Sequence, residues 1–378
     1  MRLLHTGDWH IGKRLYGVDR LREFADALEE IAQIAADNDV DAILMSGDIM
    51  DRRIVEPLVL STCLQAFERL AQVAPVVAIT GNHDEPLFWA EIAPYLAPRI
   101  LLAASEAVFG VDTAAGRLTV ACMPWPEPAE TPTATGDDRG VSRAAYAELV
   151  TERLEGLAHQ AAASRRDHPG PCVLLAHAMV KGGVSGGGER ELTLAGTYAV
   201  PGGAFPATFD YVALGHLHQP QMMRAIPTTG RYCGSPLALD FSGDGTNPSV
   251  TLVDLEGDVT QVTEVPVTAG RRLIRLRGTL DQLPDLAAQH DNAWFFCEVQ
   301  SDGVRLDVVR EVRDRIPNAL RVEQLNEGSP TQPPSTEDEP VAASLPDMYA
   351  QWLTTTGRTH HSDLLATFTD VVERTGER

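Results

Sequence analysis

The chain of 378 residues has little cysteine, and its five cysteines form no metal-binding or disulfide pattern. They are odd in number, lie far apart and never occur as Cys-x-x-Cys, which argues against a disulfide framework and a cysteine-based zinc site. No apolar run approaches the roughly 18 residues that a membrane helix needs, and no apolar signal core precedes the first predicted strand. These absences predict a cytoplasmic protein.

Basic residues are also scarce, since 31 Lys and Arg stand against 53 Asp and Glu and the formal net charge is −22. Proteins that bind nucleic acids through phosphates usually carry a basic face, because Lys and Arg displace counterions from the backbone. None of the regions 1–150, 151–270 and 271–378 has an excess of basic residues. The balance therefore argues against tight binding of a nucleic acid by this chain alone.

The first 100 residues alternate short β-rich runs with amphipathic helices. Strands are predicted at 3–5, 42–45 and 76–79, and an apolar stripe from Leu21 to Ala35 predicts a helix between the first two. This alternation is typical of α/β proteins with a parallel sheet. Further strands, which we expect to make the sheet structure mixed, are predicted at 118–121, 173–176, 211–214, 250–253 and 259–265.

The later part of the chain divides into three regions. Residues 271–326 are predicted to form a small α+β unit, whereas 328–344 are rich in proline and acidic residues, a composition typical of a disordered linker. Residues 345–378 carry two short apolar faces at helical spacing. Because two small helices cannot bury such faces alone, we interpret them as a docking element for a partner helix. The alternative is that they fold back on the body.

Metal-ligand residues follow nearly every predicted strand. In open α/β sheets, sites assemble where the carboxyl ends of the strands meet, so these side chains are expected at one rim. Residues at i and i+2 on extended backbone project to the same side, which suits Asp8 with His10 and His216 with His218. Seven ligands are too many for one ion and suit two. The candidate ligands are Asp8, His10, Asp48, Asn82, His177, His216 and His218.

The types of ligand indicate both the metal and the chemistry. Carboxylate, amide and imidazole groups without thiolates favour Mn²⁺ or Fe²⁺, with Zn²⁺ as an alternative. Asp48 could bridge two ions through its two oxygens, and a pair of ions could hydrolyse a phosphoester. His83, beside Asn82, is the candidate residue to protonate the leaving oxygen or to stabilise the transition state. Each motif alone is ordinary loop chemistry; it is their joint occurrence that predicts a dinuclear site.

One motif in the same region points elsewhere and is set aside. Residues 7–13 match G-x-x-x-x-G-K, the start of a nucleotide-binding loop. Arg14 stands where that loop needs Ser or Thr for Mg²⁺, and Asp8 would place a carboxylate in the phosphate cradle. An ATP site is therefore not predicted here.

Together, these motifs resemble those of the calcineurin-like metallophosphoesterases. That resemblance implies an α/β fold in which a sandwich of two mixed β-sheets is flanked by helices. The runs 5–12, 47–52 and 232–237 are similar to those of a narrower family, the bacterial SbcD nuclease subunits. This likeness covers nearly the whole chain, strongly over 1–255 and loosely after 270.

The SbcD resemblance also implies a domain organisation. A metallophosphoesterase nuclease domain would be followed by a small α+β capping domain, a flexible linker and a C-terminal partner-binding helix pair. The corresponding boundaries are 1–268, 269–327, 328–344 and 345–378.

The resemblance further assigns roles to the candidate residues. One Mn²⁺ would be held by Asp8, His10, Asp48 and His218. The other would be held by Asp48, Asn82, His177 and His216. His83 would be the catalytic histidine.

The activity and partners implied by the resemblance are specific. The chain would be a Mn²⁺-dependent 3′→5′ exonuclease on double-stranded DNA ends and an endonuclease on single strands and hairpins, acting in repair, recombination and replication. Its partner would be SbcC, an ABC-type ATPase whose turnover gates cleavage, in a complex of two plus two subunits at the nucleoid. A homodimer would form through helices near 55–74 and 85–96, for which the residues themselves predict only apolar faces.

Other functions stay open from the residues alone. A phosphodiesterase acting on small nucleotides would need the same ligands but not residues 271–378, and a non-catalytic scaffold would need neither metal. If DNA is the substrate, local basic residues become candidates for contact with its backbone, although solvated surface charge is the plain alternative. These candidates are Lys13, Arg14, Arg20, Arg52 and Arg53.

Overall fold

A computed structural model of the chain describes residues 1–127, 139–185, 198–241, 248–257, 259–301 and 307–326. The predicted linker at 328–344 and the predicted helix pair at 345–378 lie outside these described residues. Within them, no helix is both long enough and apolar enough to cross a membrane.

The first sheet has six strands in the order β12-β11-β1-β2-β3-β4. Neighbours from β1 to β4 are parallel, whereas β11 runs antiparallel to β1 and to β12, so the sheet is mixed. Its strands are β1 (Arg2–Thr6), β2 (Ala42–Met45), β3 (Val76–Ile79), β4 (Ile100–Ala103), β11 (Ser249–Glu256) and β12 (Val259–Pro266).

The second sheet also has six strands, in the order β5-β6-β7-β8-β10-β9. The four central strands are parallel and the two edge strands run antiparallel to their neighbours. Its strands are β5 (Ala107–Thr113), β6 (Gly116–Met123), β7 (Cys172–His177), β8 (Tyr211–Gly215), β9 (Gln221–Met222) and β10 (Gly230–Tyr232).

The two sheets pack face to face, and helices cover their outer faces. Alternation along β1 places Leu3 in the core between the sheets and Leu4 against the helices, because successive strand side chains point to opposite faces. Burial on both faces explains why the strands are continuous apolar runs. The covering helices are α1 (Leu21–Asp37), α2 (Pro57–Val73) and α3 (Pro86–Leu96) on the first sheet and α4 (Arg139–Asp167) on the second. The expected sandwich of two mixed sheets is confirmed.

A smaller α+β unit follows, with a three-stranded sheet in the order β13-β14-β15. It has its own apolar core, which includes Leu276, Phe295 and Val312. Glu23 of α1 joins it to the sandwich by accepting hydrogen bonds from the Arg271 N–H and the Trp294 Nε1–H, each 3.0 Å long. Its elements are β13 (Arg272–Thr279), α5 (Leu283–Ala287), β14 (Ala293–Ser301), α6 (Val308–Arg315) and β15 (Ala319–Asn326).

Candidate metal centre

Loops at the carboxyl ends of β1 and β2 hold the first candidate ligands in an unusual backbone conformation. Asp8, His10 and Asp48 have φ values of 50°, 47° and 53°. This left-handed region is rare for residues with a side chain and is concentrated at functional sites, where the surrounding structure enforces it. Here the Asp8 N–H donates to the Gly47 carbonyl (2.9 Å) and the His10 N–H to the Asp48 carbonyl (3.0 Å). The two loops therefore fix each other.

Asp84, to which the sequence motifs assign no role, ties the loop after β2 to the loop after β3. Its carboxylate accepts hydrogen bonds from the backbone N–H groups of Gly81 (2.8 Å), Ile49 (3.1 Å) and Met50 (3.1 Å). Burial, together with the charge of Asp48, raises the pKa of Asp84 to about 7. In the sequence, the position of Asp84 directly after Asn82 and His83 is the indication that it belongs to the site. Two of the three contacts come from a different loop, at Ile49 and Met50.

The second sheet contributes histidines that are oriented by the first sheet. His177 at the end of β7 donates from Nδ1–H to the Ser46 carbonyl (2.7 Å), which leaves Nε2 free to face the centre. The His216 N–H donates to the Asp8 carboxylate (2.9 Å), and the Trp125 ring stacks on the His216 imidazole at 4.9 Å. The rims of the two sheets thus meet through direct hydrogen bonds.

Two glycines permit this close approach of the sheets. A Cβ atom at Gly215 would lie 2.0 Å from the Ser46 carbonyl oxygen, and one at Gly47 would lie 2.5 Å from His177 Nδ1. Gly47 also has a φ of 94°, which residues with side chains rarely adopt. Glycine is therefore required where the ligand-bearing loops touch.

Four of the predicted ligands form one buried group. Each of Asp8, His10, Asp48 and His218 offers a ligand atom, and these four atoms lie within 4.8 Å of one another. Nε2 of His10 is 3.0 Å from Nε2 of His218. Burial is the main reason that the pKa of His10 falls to about 3, so this imidazole is neutral, as metal binding requires.

The other predicted ligands form an adjoining group. Oδ1 of Asn82 lies 3.0 Å from both His177 Nε2 and His216 Nδ1. Burial alone would lower the pKa of His177, but the charge and hydrogen bond of Asp48 raise it to about 9. Asp48 thus favours a positive charge on the His177 imidazole, at a position where a metal cation could bind instead. Nε2 of His216 is buried and has no hydrogen-bond partner in the part of the chain that the structure describes. The Asn82 amide oxygen and the imidazoles of His177 and His216 together suit a divalent cation.

A single oxygen of Asp48 lies between the two groups. Oδ2 is 3.4 Å from His10 Nε2 and 3.5 Å from His177 Nε2, whereas Oδ1 accepts a hydrogen bond from the His83 N–H (2.8 Å). Burial opposes ionisation, but the neighbouring imidazoles of His177 and His10 hold the pKa of Asp48 well below its usual value. From sequence, Asp48 could bridge two ions through its two oxygens. In the structure, Oδ2 is the oxygen that lies close to an imidazole of each group.

His83 lies beside the first group, as a candidate acid should. Its Nδ1–H donates to the backbone carbonyl of Asp51 (2.8 Å), and its ring meets the edge of His10 at a centroid distance of 4.6 Å. Because a carbonyl can only accept, the proton on Nδ1 is fixed and Nε2 is the atom able to exchange a proton. The Asp51 carboxylate, also missed from sequence, lies 3.6 Å from His10 Nδ1.

The basic candidates differ in how available they are. Arg14 is exposed, and 77% of the Arg52 side chain is accessible; both line a pocket between the loops after β1 and β2. Lys13 lies 3.7 Å from the Asp51 carboxylate, and Arg53 forms ion pairs with Glu85 and Glu127.

Arg20 requires a correction. Only 1% of its side chain is exposed, and its guanidinium donates to Glu23 (3.0 Å) and to the Ala238 carbonyl (2.6 Å). A buried guanidinium with these partners cannot reach a DNA backbone in this arrangement. Arg20 stabilises the packing at the start of α1 instead.

Comparison with known proteins places this site in a defined class. The family model for calcineurin-like phosphoesterases matches residues 1–220, and the chain belongs to this family of metal-dependent phosphoesterases. Among curated proteins, the SbcD chain of the nuclease SbcCD from Bacillus subtilis is 33% identical over an alignment of 341 positions that covers 85% of each chain. The SbcD chain of Escherichia coli K12 is 26% identical over 340 residues, 86% of this chain and 84% of that one. Within the phosphoesterases, this chain groups with the SbcD proteins.

Proposed function

We propose that the chain is a metal-dependent DNA nuclease that hydrolyses phosphodiesters at a two-metal site. The observation that carries the proposal is the position of Asp48 Oδ2, which faces two buried ligand groups at once and lies 3.4 and 3.5 Å from an imidazole of each. Shared carboxylate oxygens suit pairs of ions about 3.5–4 Å apart, the spacing used in phosphoester hydrolysis. The similar SbcD chains belong to the nuclease SbcCD, which supports DNA as the substrate.

The residues of the chain would divide the work as follows. When bound, two divalent cations would offset the negative charge that develops on the phosphoryl oxygens. His83 would give a proton from Nε2 to the leaving oxygen, while the Asp51 carbonyl holds its ring by the 2.8 Å hydrogen bond to Nδ1. Asp84 would hold the loops that carry Asp48 and Asn82 in register through its three N–H contacts.

For the metal we propose Mn²⁺, with Fe²⁺ or Zn²⁺ as alternatives. The two ligand groups contain oxygen and imidazole donors only, and none of the five cysteines, all buried free thiols, belongs to either group. Hard oxygen ligands combined with imidazole suit Mn²⁺ and Fe²⁺. We also propose 3′→5′ exonuclease action on double-stranded ends and endonuclease action on single strands and hairpins, in repair, recombination and replication.

The assembly we propose contains two copies of this chain and two SbcC-type ATPase subunits, acting in the cytoplasm at the nucleoid. Large apolar side chains on and beside α2 and α3 are exposed, which supports a homodimer through these helices: they are Ile54, Leu58, Leu87 and Tyr95. Residues 345–378 would bind the ATPase, and the four-part division of the chain stays a proposal. The acidic net charge of −22 supports weak DNA binding without the partner.

The principal test is His83→Ala in the full-length protein with Mn²⁺. Cleavage of linear duplex DNA should fall by at least about 100-fold, since general acid catalysis contributes that much or more, while the bound metal per chain stays unchanged. The exposed His168 offers a matched control, and His168→Ala should cleave normally. Persistent cleavage by His83→Ala would remove the proposed role of His83. Hydrolysis of model diesters without cleavage of DNA, even with SbcC present, would favour the small-nucleotide phosphodiesterase.

A separate test addresses the partner. Deletion of 345–378 should abolish co-purification with SbcC while Mn²⁺-dependent cleavage of a small diester persists. Retained binding of SbcC would exclude this segment as the docking element.

A further inference from the structure

Tyr16 is an exposed aromatic residue on the loop that leaves the metal centre. It has a φ of 48°, and 48% of its surface is accessible. Left-handed backbone is costly for a bulky residue, and an exposed ring gains little from the hydrophobic effect. The turn is nevertheless firmly held, since Leu15 and Val18 exchange backbone hydrogen bonds of 3.1 and 3.0 Å and Leu15 is buried. An exposed ring on a strained backbone is therefore a candidate for a functional role.

A guanidinium from the small α+β unit orients the Tyr16 ring. Arg321 of β15 lies over the ring at 5.6 Å from its centroid, and its Nη1–H donates to the Tyr16 hydroxyl at 2.9 Å. Glu323 in turn accepts a hydrogen bond from Arg321 Nε (2.8 Å). The Phe241 ring lies 5.9 Å from Tyr16 at a tilt of 38°. The ring is therefore held by its neighbours, while 48% of the surface of the Tyr16 residue stays accessible.

The surroundings of this ring suit a strand of nucleic acid. Lys13 and Arg14 belong to the same loop, and Arg14 is exposed, with its Nε–H donating to the Gly17 carbonyl. This loop starts at the candidate ligand His10. Lys13 and His10 both lie near the Asp51 carboxylate, at 3.7 and 3.6 Å. A half-exposed aromatic residue two positions from an exposed arginine offers ring surface for a base and a cation for a flanking phosphate.

We propose that Tyr16, held by Arg321, is a stacking platform for an unpaired nucleobase of the strand that enters the metal centre. This inference rests on the proposed nuclease function and adds to it a residue that would bind the unpaired part of the substrate. Stacking does not depend on base identity, so the platform would favour single-stranded, frayed or looped DNA over intact duplex without selecting a sequence. A base still paired in a duplex would first have to unstack.

The test compares Tyr16→Ala and Tyr16→Phe with the wild-type full chain in Mn²⁺. The substrates are two oligonucleotide duplexes with unpaired 3′ ends, one with bases and one with abasic residues at the unpaired positions. For the base-bearing end, Tyr16→Ala should raise KM by about 5- to 100-fold, the range expected for loss of one base–aromatic stack. Tyr16→Phe keeps the ring and should stay within about threefold of wild type. The defect should largely disappear on the abasic end.

Binding is measured separately, by the quenching of a fluorescent adenine analogue at the unpaired end, with a metal-loaded His83→Ala background to prevent cleavage. Quenching should be strong in this background and lost when Tyr16→Ala is added. Equal quenching with and without Tyr16→Ala, or equal KM defects on base-bearing and abasic ends, would overturn the platform and leave Tyr16 as a joint between the two units. Absence of any DNA cleavage by the wild type would instead contradict the nuclease function, whatever the quenching shows.

Discussion

The two sheets supply the candidate centre in different ways. The first provides every oxygen ligand, from loops in which Asp8 and Asp48 are left-handed and bonded to each other's neighbours. The second provides imidazoles only, and two of its ligand residues are positioned by hydrogen bonds to the first sheet, at Ser46 and Asp8. The first rim is therefore organised by its own loops, whereas the second depends on the packing between sheets. Four sets of substitutions test the roles of individual residues in this arrangement.

The largest effect is expected for Asp48→Ala, because Asp48 Oδ2 lies 3.4 and 3.5 Å from an imidazole of each ligand group. Both ions should be lost and hydrolysis of a model diester should fall by more than about 100-fold, since changing even an outer partner of a ligand often costs 10- to 100-fold. Metal content after dialysis and steady-state rates measure this. One ion retained per chain would show that Asp48 serves a single site.

A smaller and selective loss is expected from removing one imidazole of the second sheet. His177→Ala should lose the ion near Asn82, and His218→Ala should lose the ion near Asp8, because each histidine faces a different group. Activity should fall by about 10- to 100-fold or more in either variant. Metal titration should give one tight ion per chain in each. Two retained ions in both variants would contradict the division into groups.

The packing between sheets is tested by Gly215→Ala. The added Cβ would lie 2.0 Å from the Ser46 carbonyl oxygen, a backbone atom, so the rims must separate. We expect a loss of about 3 kcal/mol in the free energy of unfolding, at the upper end for overpacking, together with weaker metal binding. Gly203→Ala is the matched control, since nothing lies within 4 Å of its added Cβ. Denaturant unfolding would measure both, and equal stabilities would refute the close approach.

The smallest effects on stability are expected for Arg20 and Arg52, which the sequence alone presented as equivalent candidates. Arg20→Ala should destabilise the fold by about 1–3 kcal/mol, because the part-buried contact with the Ala238 carbonyl is lost and Glu23 loses one of its donors. Arg52→Ala, at a site with 77% side-chain exposure, should leave stability within about 0.5 kcal/mol of wild type. If DNA binds here, only Arg52→Ala should weaken it without loss of fold, as salt-dependent binding assays would reveal.

Much of the fold could be predicted because local patterns agree with it. The apolar runs that became β2, β3 and β7 are buried on both faces, and the ligand residues follow them directly. What could not be predicted depends on partners far along the chain. Arg20 meets Ala238 across 218 residues, and Asp84 meets Ile49 across 35. No local pattern reveals that Arg20 is buried although the other basic candidates are not, or that the Asp48 Oδ1 atom accepts a hydrogen bond from the His83 N–H.

The place of β11 has a consequence for how the protein is made. Its residues pair with β1 from Arg2 opposite Asp254 to His5 opposite Thr251, so the sheet closes between distant parts of the chain. During synthesis, one edge of β1 stays unpaired until β11 has left the ribosome, and pairing over such a separation is slow. An open edge strand invites pairing with other chains. The loop after β1, which carries the candidate ligands Asp8 and His10, is thus synthesised early. The sheet that supports this loop is completed only after β11 has been made.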